Sequence, residues 1–201
     1  MELSKKIGLI ALGCAFTLNA HAASPWENRI YVSGGVGYNT FDVDDELEFD
    51  TYGLTGKFGI RFTPYLGVET RLAVGVTEDS WTIPDGTTLS GDYKDIDVTH
   101  EYSIGQYVVL GYANESSFYP YVSLGYAASG GKLELNPVTK ENRNDEAPKV
   151  SESLDDSDFS YAFGFNLVIQ QDLAVTAEYI SYLDTDDADL SGFSVGLTRQ
   201  F

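Results

Sequence analysis

The chain has 201 residues, with 12 Lys and Arg against 31 Asp and Glu, a net charge of −19, and 43% apolar and 13% aromatic residues. That length suits one domain, the apolar content is too high for a disordered acidic tail, and so few cations cannot neutralise the phosphates of a nucleic acid. The single cysteine, Cys14, falls in the leader described next, and His100 is the only histidine after it, which excludes a disulfide framework and zinc sites built on Cys and His.

Residues 1–22 read MELSKKIGLIALGCAFTLNAHA. Lys5 and Lys6 make a basic start, Ile7 to Leu18 an apolar stretch, and Ala20-His21-Ala22 an A-x-A cleavage site, the layout of a secretory signal peptide. Cleavage is expected before Ala23, leaving 23–201 as the folded domain. Ala11-Leu12-Gly13-Cys14 loosely matches a lipidation signal, but the apolar stretch would then stop at Gly13. The leader is too short to span a membrane, and nothing downstream offers about 18 consecutive apolar residues.

From Arg29 onward, eight stretches alternate with the period of two that a strand imposes. They cover about 29–39, 52–62, 65–77, 96–112, 118–128, 158–170, 173–183 and 190–201. In the second, Tyr52, Leu54, Phe58, Ile60 and Phe62 oppose Gly53, Thr55, Lys57, Gly59 and Arg61. In the sixth, Phe159, Tyr161, Phe163, Phe165, Leu167 and Ile169 oppose Ser160, Ala162, Gly164 and Asn166. No comparable stretch repeats at helical spacing, so the chain reads as all-β.

Connections alternate as well. Thr63-Pro64, Asn114–Ser117 and Gln171-Asp172 are short, whereas 40–51, 78–95, 129–157 and 184–189 are long. Strands of about ten residues with short turns at one end and long loops at the other predict an eight-stranded antiparallel up-and-down transmembrane barrel. Only a closed barrel leaves no unpaired edge in lipid. A soluble lipocalin-like carrier alternates too, with its apolar face inside. The membrane version is favoured by a polar face rich in small residues and charges of both signs, and by aromatics near strand ends. Those aromatics are Tyr38, Phe41, Tyr52, Phe62, Tyr65, Phe118, Tyr119, Tyr126, Phe159 and Tyr179.

The leader, the eight strands, repeats such as Pro120-Tyr121-Val122-Ser123-Leu124-Gly125-Tyr126 and the ending Ser194-Val195-Gly196-Leu197-Thr198-Arg199-Gln200-Phe201 resemble the small bacterial outer-membrane β-barrel family, of the OmpA-domain and OmpX–Ail type. The resemblance implies outer-membrane localisation and delivery to the barrel-assembly machinery, with Ser194, Gly196 and Phe201 matching the family's terminal signal. Arg199 departs from it, since a hydrophobic residue is usual two places before the end, but at the membrane edge it can snorkel.

With the apolar face turned to lipid, Lys57, Arg61, Glu69, Arg71, Glu101 and Glu178 are expected in the lumen, three cations and three anions. Glu69 then lies diagonal to both Lys57 and Arg61. Eight strands enclose only enough room for side chains, so a plugged lumen is expected, with a narrow ion or small-solute channel as the alternative. Removing residues 1–22 leaves 10 basic and 30 acidic residues, a net charge of −20. The long loops and their margins hold 24 of those acids and only five bases, Lys94, Lys132, Lys140, Arg143 and Lys149. Solubility is one reading of this charge. Another is Ca²⁺ or Mg²⁺ held by oxygen ligands and bridging to lipopolysaccharide, with Asp42, Asp44, Asp184 and Asp186 as candidates. Binding of heparin-like polyanions through the loops is disfavoured by charge.

His100 falls in the lipid-facing parity of its strand and Ser103 on the opposite face, so a nucleophile and base do not meet if the strand is regular. The expectation is therefore a monomeric, non-enzymatic outer-membrane barrel without cofactor, with a structural or surface-interaction role carried by acidic extracellular loops. A lipid-modifying enzyme and a periplasmic carrier are the remaining alternatives.

Overall fold

The computed structural model describes residues 29–43, 47–83, 93–112, 116–138, 148–184 and 188–201; the expected leader lies outside them. Nine strands form one sheet: β1 (Arg29–Val43), β2 (Leu47–Arg61), β3 (Leu66–Gly75), β4 (Glu78–Thr82), β5 (Tyr93–Gly111), β6 (Phe118–Pro137), β7 (Val150–Gln170), β8 (Leu173–Asp184) and β9 (Ala188–Gln200). Every pairing is antiparallel. The sheet closes on itself because β9 pairs with β1, Tyr31 opposite Gln200, and β3 pairs with β5, Leu66 opposite Leu110. β4 adds a short ninth strand along the outer end of β5, outside the eight-stranded ring.

Alternation decides which face points where. Ile30, Val32, Val36, Leu54, Phe58, Leu72, Val74, Ile104, Val108, Val122, Leu124, Phe163, Leu167, Val195 and Leu197 are exposed on the outside, while Ser33, Lys57, Arg71, Ser123, Ser160, Thr176, Glu178 and Thr198 are buried inside. In water the outward apolar surface would be prohibitive; in a bilayer it is the required one. Tyr38, Tyr52, Tyr102, Tyr126 and Phe159 ring the outer edge of this band, with Tyr38 and Tyr52 rings 5.5 Å apart, and Tyr65, Tyr112, Phe118 and Phe201 mark the inner edge. Two of the expected girdle residues lie elsewhere. Tyr119 is buried inside, and Phe41 packs on the inner apolar cluster, because both share the parity of the inward side chains.

The strands run well past the outer aromatic row. β6 continues eleven residues beyond Tyr126, about 35 Å of strand at ~3.3 Å per residue. Much of the expected long connections is therefore strand. Their inner faces hold a second apolar cluster of Phe49, Ile83, Ile96 and Val98, with Phe41, Trp81, Tyr93, Leu133 and Leu135 packed on it.

Candidate functional site

The lumen is built in layers. In its inner half Lys57 and Arg71 face each other across β2 and β3, and Glu178 reaches them from β8. Glu178 takes Lys57 Nζ at 2.7 Å and an Arg71 terminal nitrogen at 2.8 Å. Arg71 Nε also donates to Glu69 on its own strand, and its guanidinium donates to Ser123 Oγ at 2.8 Å. Tyr31 OH donates to Glu69 at 2.6 Å and Tyr121 OH to Glu178 at 2.8 Å. Arg61 lies over the Tyr119 ring at 4.1 Å and the Tyr31 ring at 5.2 Å, and Arg71 over Tyr107 at 4.3 Å. Glu178 and Glu69 are thus buried carboxylates bonded on several sides, the condition under which such charges persist out of water. Gly59 makes this packing possible: a Cβ there would stand 2.3 Å from the Tyr31 ring.

Five of the six expected lumen charges, Lys57, Arg61, Glu69, Arg71 and Glu178, are buried inside. Glu69 is diagonal in register to Lys57 and Arg61, yet it bonds Arg71 and Tyr31, while Lys57 crosses to Glu178. Glu101 is the correction: it is exposed on the outside. Between His100, opposite Gly131, and Tyr102, opposite Gly130, β5 inserts one extra residue. That bulge carries Glu101 outward and reverses the parity of everything before it. The same bulge corrects the placement of His100, which is buried inside rather than turned to lipid. His100 Nε2 lies 2.8 Å from Ser103 Oγ, and Ser103 Oγ lies 2.7 Å from Ser129 Oγ. His100 is 5% exposed and Ser103 1%. A base and a hydroxyl are within reach of one another, but sealed away from any substrate.

Tyrosines are the lumen residues that parity had not singled out. Tyr31, Tyr107 and Tyr121 share the parity of Ser33, Gly105 and Ser123, a signal present in the alternation but overridden by their aromatic character. Tyr182 had no such signal, since it is the extra residue of a second bulge, between Ser181 and Leu183. Its ring stands 6.5 Å from that of His100. Above the charged layer, Tyr182, Ile180, Leu183 and Leu190 form an apolar layer continuous with Phe41, and the Phe49–Val98 cluster closes the outer mouth. A void among Tyr31, Lys57, Glu69, Tyr121, Asn166 and Thr176 holds 10 Å³, room for about one water. By contrast, a cavity of 820 Å³ lined by Leu110, Tyr112, Val122, Phe163, Phe165 and Tyr179 opens on the lipid-facing side.

At the outer rim, β8, β9, β1 and β2 bring Asp184, Asp189, Asp42 and Glu48 to one register row. Asp44 and Asp186, the other two candidate cation ligands, lie outside the described residues. Among the described residues no group of three or more His, Cys, Asp or Glu is arranged to hold a metal ion. On the ribbon beyond the aromatic row, Glu134 pairs with Lys132 at 2.6 Å and Lys149 at 2.7 Å. The hydrogen bond from Lys132, seconded by that from Lys149, holds the Glu134 carboxyl down to about 2. At the chain end, Ser194 is buried inside, a Cβ at Gly196 would stand 2.5 Å from the Gly34 carbonyl oxygen, and Phe201 N donates to the Ile30 carbonyl at 2.8 Å. Arg199 extends to Asp172 at 3.2 Å, outside the barrel.

No curated protein sequence matches the chain. Solved structures do. The attachment invasion locus protein Ail of Yersinia pestis, in complex with the heparin analogue sucrose octasulfate, superposes with a TM-score of 0.59 at 18% identity, over 87% of this chain and 99% of that one. The outer membrane protein OprG of Pseudomonas aeruginosa gives 0.56 at 14% identity, over 88% and 97%. Neisserial surface protein A gives 0.54 at 14%, over 87% and 100%. The barrel with its outward apolar band is thus a bacterial outer-membrane fold. The profile of the outer membrane protein beta-barrel domain matches residues 8–201, and the chain belongs to that family.

Proposed function

We propose that the chain is a non-catalytic surface-interaction protein of the outer membrane, whose working part is the ribbon of β5, β6 and β7 beyond the outer aromatic row. One observation carries this reading: the ribbon ends in an open strand edge. Among the described residues, β7 pairs with β6 from Val150 onward but with β8 only from Tyr161, which leaves Val150–Ser160 a one-sided edge there. Edges of this kind accept an extended segment of a partner. The edge carries Glu152, Asp155, Asp156 and Asp158, and the Asp156 and Asp158 carboxylates accept from the Ser157 and Phe159 amides at 2.7 and 2.6 Å. A partner must displace these caps and meet negative charge, which favours a cationic extended polypeptide.

The charge also separates this chain from Ail bound to sucrose octasulfate, since the outer segments here hold far more acids than bases. The sealed lumen supports the absence of a transport role, and the burial of His100 and Ser103 supports the absence of catalysis. Lipopolysaccharide and the barrel-assembly machinery remain partners of its membrane life, the latter through Ser194, Gly196 and Phe201. The test uses the chain in lipid nanodiscs against immobilised polylysine and against sucrose octasulfate. Binding of polylysine that weakens with salt and drops in an Asp155→Asn, Asp156→Asn, Asp158→Asn variant is expected. Preferential binding of sucrose octasulfate would overturn the reading.

A further inference from the structure

The 820 Å³ cavity on the outside of the barrel belongs neither to the lumen nor to the ribbon. One wall is a single register row across five neighbouring strands, Leu110, Val122, Phe163, Tyr179 and Phe193. The facing wall is Phe165 with Phe118. Ring pairs stiffen both: Phe163 with Tyr179 and Phe118 with Phe165, each with centroids 5.1 Å apart. The floor between them is low, because Pro120 and Ala177 stand on either side of Phe165 and the backbone at Gly164 lies beneath. The outward side chains that line this groove are apolar apart from the hydroxyls of Tyr112 and Tyr179.

The groove's place in the band says what fills it. It faces the bilayer, so its occupant is hydrocarbon. Leu110 and Phe193 are four strand spacings apart, about 19 Å at ~4.8 Å per step, the reach of one extended fatty-acyl chain. One end lies beside Tyr112 and Phe118 at the inner aromatic edge, where Tyr112 is 64% exposed. The other reaches Phe193, next to Tyr38 of the outer row. Because barrel strands tilt, a register row climbs obliquely through the membrane. The inner end thus meets the head-group level at a tyrosine hydroxyl, the kind of side chain that sits there with its ring in hydrocarbon and its tip wet. We infer that the groove binds one acyl chain of an inner-leaflet phospholipid, with its head group beside Tyr112.

Bulk lipid is as apolar as the groove, so packing decides. A chain in bulk lipid is surrounded by mobile neighbours. In the groove it is touched from the floor and from two ring walls already fixed by the sheet, and each close atom pair adds dispersion attraction. Ala177 is the position on which this turns, since a large side chain there fills the floor between Phe165 and Val195. The inference is independent of what the ribbon meets outside the membrane.

Native mass spectrometry tests this on the chain extracted from outer membranes in a mild detergent. The folded wild type should carry one phospholipid. Ala177→Phe should lower the retained fraction about tenfold, by displacing the chain from its floor contacts, and Ala177→Leu should lower it less. Gly34→Phe adds the same ring to the band away from the groove, where a Cβ meets no atom within 4 Å, and should retain lipid as the wild type does. A heat-dependent gel shift verifies that each variant is folded, and Ala177→Leu stands if Ala177→Phe fails to assemble. A wild type that carries no phospholipid would overturn the inference, as would retention of lipopolysaccharide alone or a spread of bound lipids that Ala177→Phe leaves unchanged.

Discussion

Glu178 holds the charged layer of the lumen together, because its two oxygens take Lys57, Arg71 and Tyr121 from three other strands. Removing one partner of a buried network leaves the others as uncompensated charges, so Glu178→Ala is expected to cost about 3–5 kcal/mol. Urea unfolding in detergent micelles reads this directly. Glu101→Ala is expected to change stability by about 0.5 kcal/mol or less, since Glu101 is an exposed side chain outside the barrel. Had β5 been regular, the two carboxylates would rank together. At Glu134, pairing with Lys132 and Lys149 depresses the carboxyl to about 2. A depressed carboxyl stabilises the ribbon above the ordinary carboxylate range, and that contribution is lost as pH falls towards 2. The carboxyl carbon resonance of Glu134 should therefore titrate near pH 2. In a Lys132→Met, Lys149→Met variant it should titrate near its ordinary value.

β5 shows what an element adds to its residues. Deleting Glu101 removes the bulge and leaves His100, Tyr102 and Ser103 at three consecutive ladder positions, so His100 and Ser103 still both face inward. The hydroxyl chain to Ser129 is kept, and urea unfolding is expected to show a change of about 1 kcal/mol or less for the deletion, as for the alanine variant. The extra residue matters for its place in the count, and its side chain does not. This is also where the sequence stops being legible. Alternation within the band located all eight barrel strands, because every second residue there must face lipid. Beyond the band no lipid enforces the rule: Lys132, Glu134, Glu152 and Asp155 are polar positions on strands that continue, and so read as loops. Bulges at Glu101 and Tyr182 shift parity by one without any change in composition. The lumen charges on regular strands were therefore placed by period alone, while His100 and Glu101 needed the register.

For the whole molecule, the lumen is occupied from its inner tyrosines, through the Lys57–Glu69–Arg71–Glu178 layer, to the Phe49–Val98 cluster at the mouth. The outer ends of the same strands carry the acidic ribbon and its open β7 edge. On the proposed reading, a barrel built this way anchors a surface and does not conduct. The layers also explain why strongly acidic outer segments coexist with a stable barrel: their charge meets water, and the charges that do not are paired. Planar-bilayer recording tests the account most directly. Insertion of the heat-shifting, folded chain should leave the membrane without discrete conductance steps, and resolved unit steps from the wild type would contradict the sealed lumen.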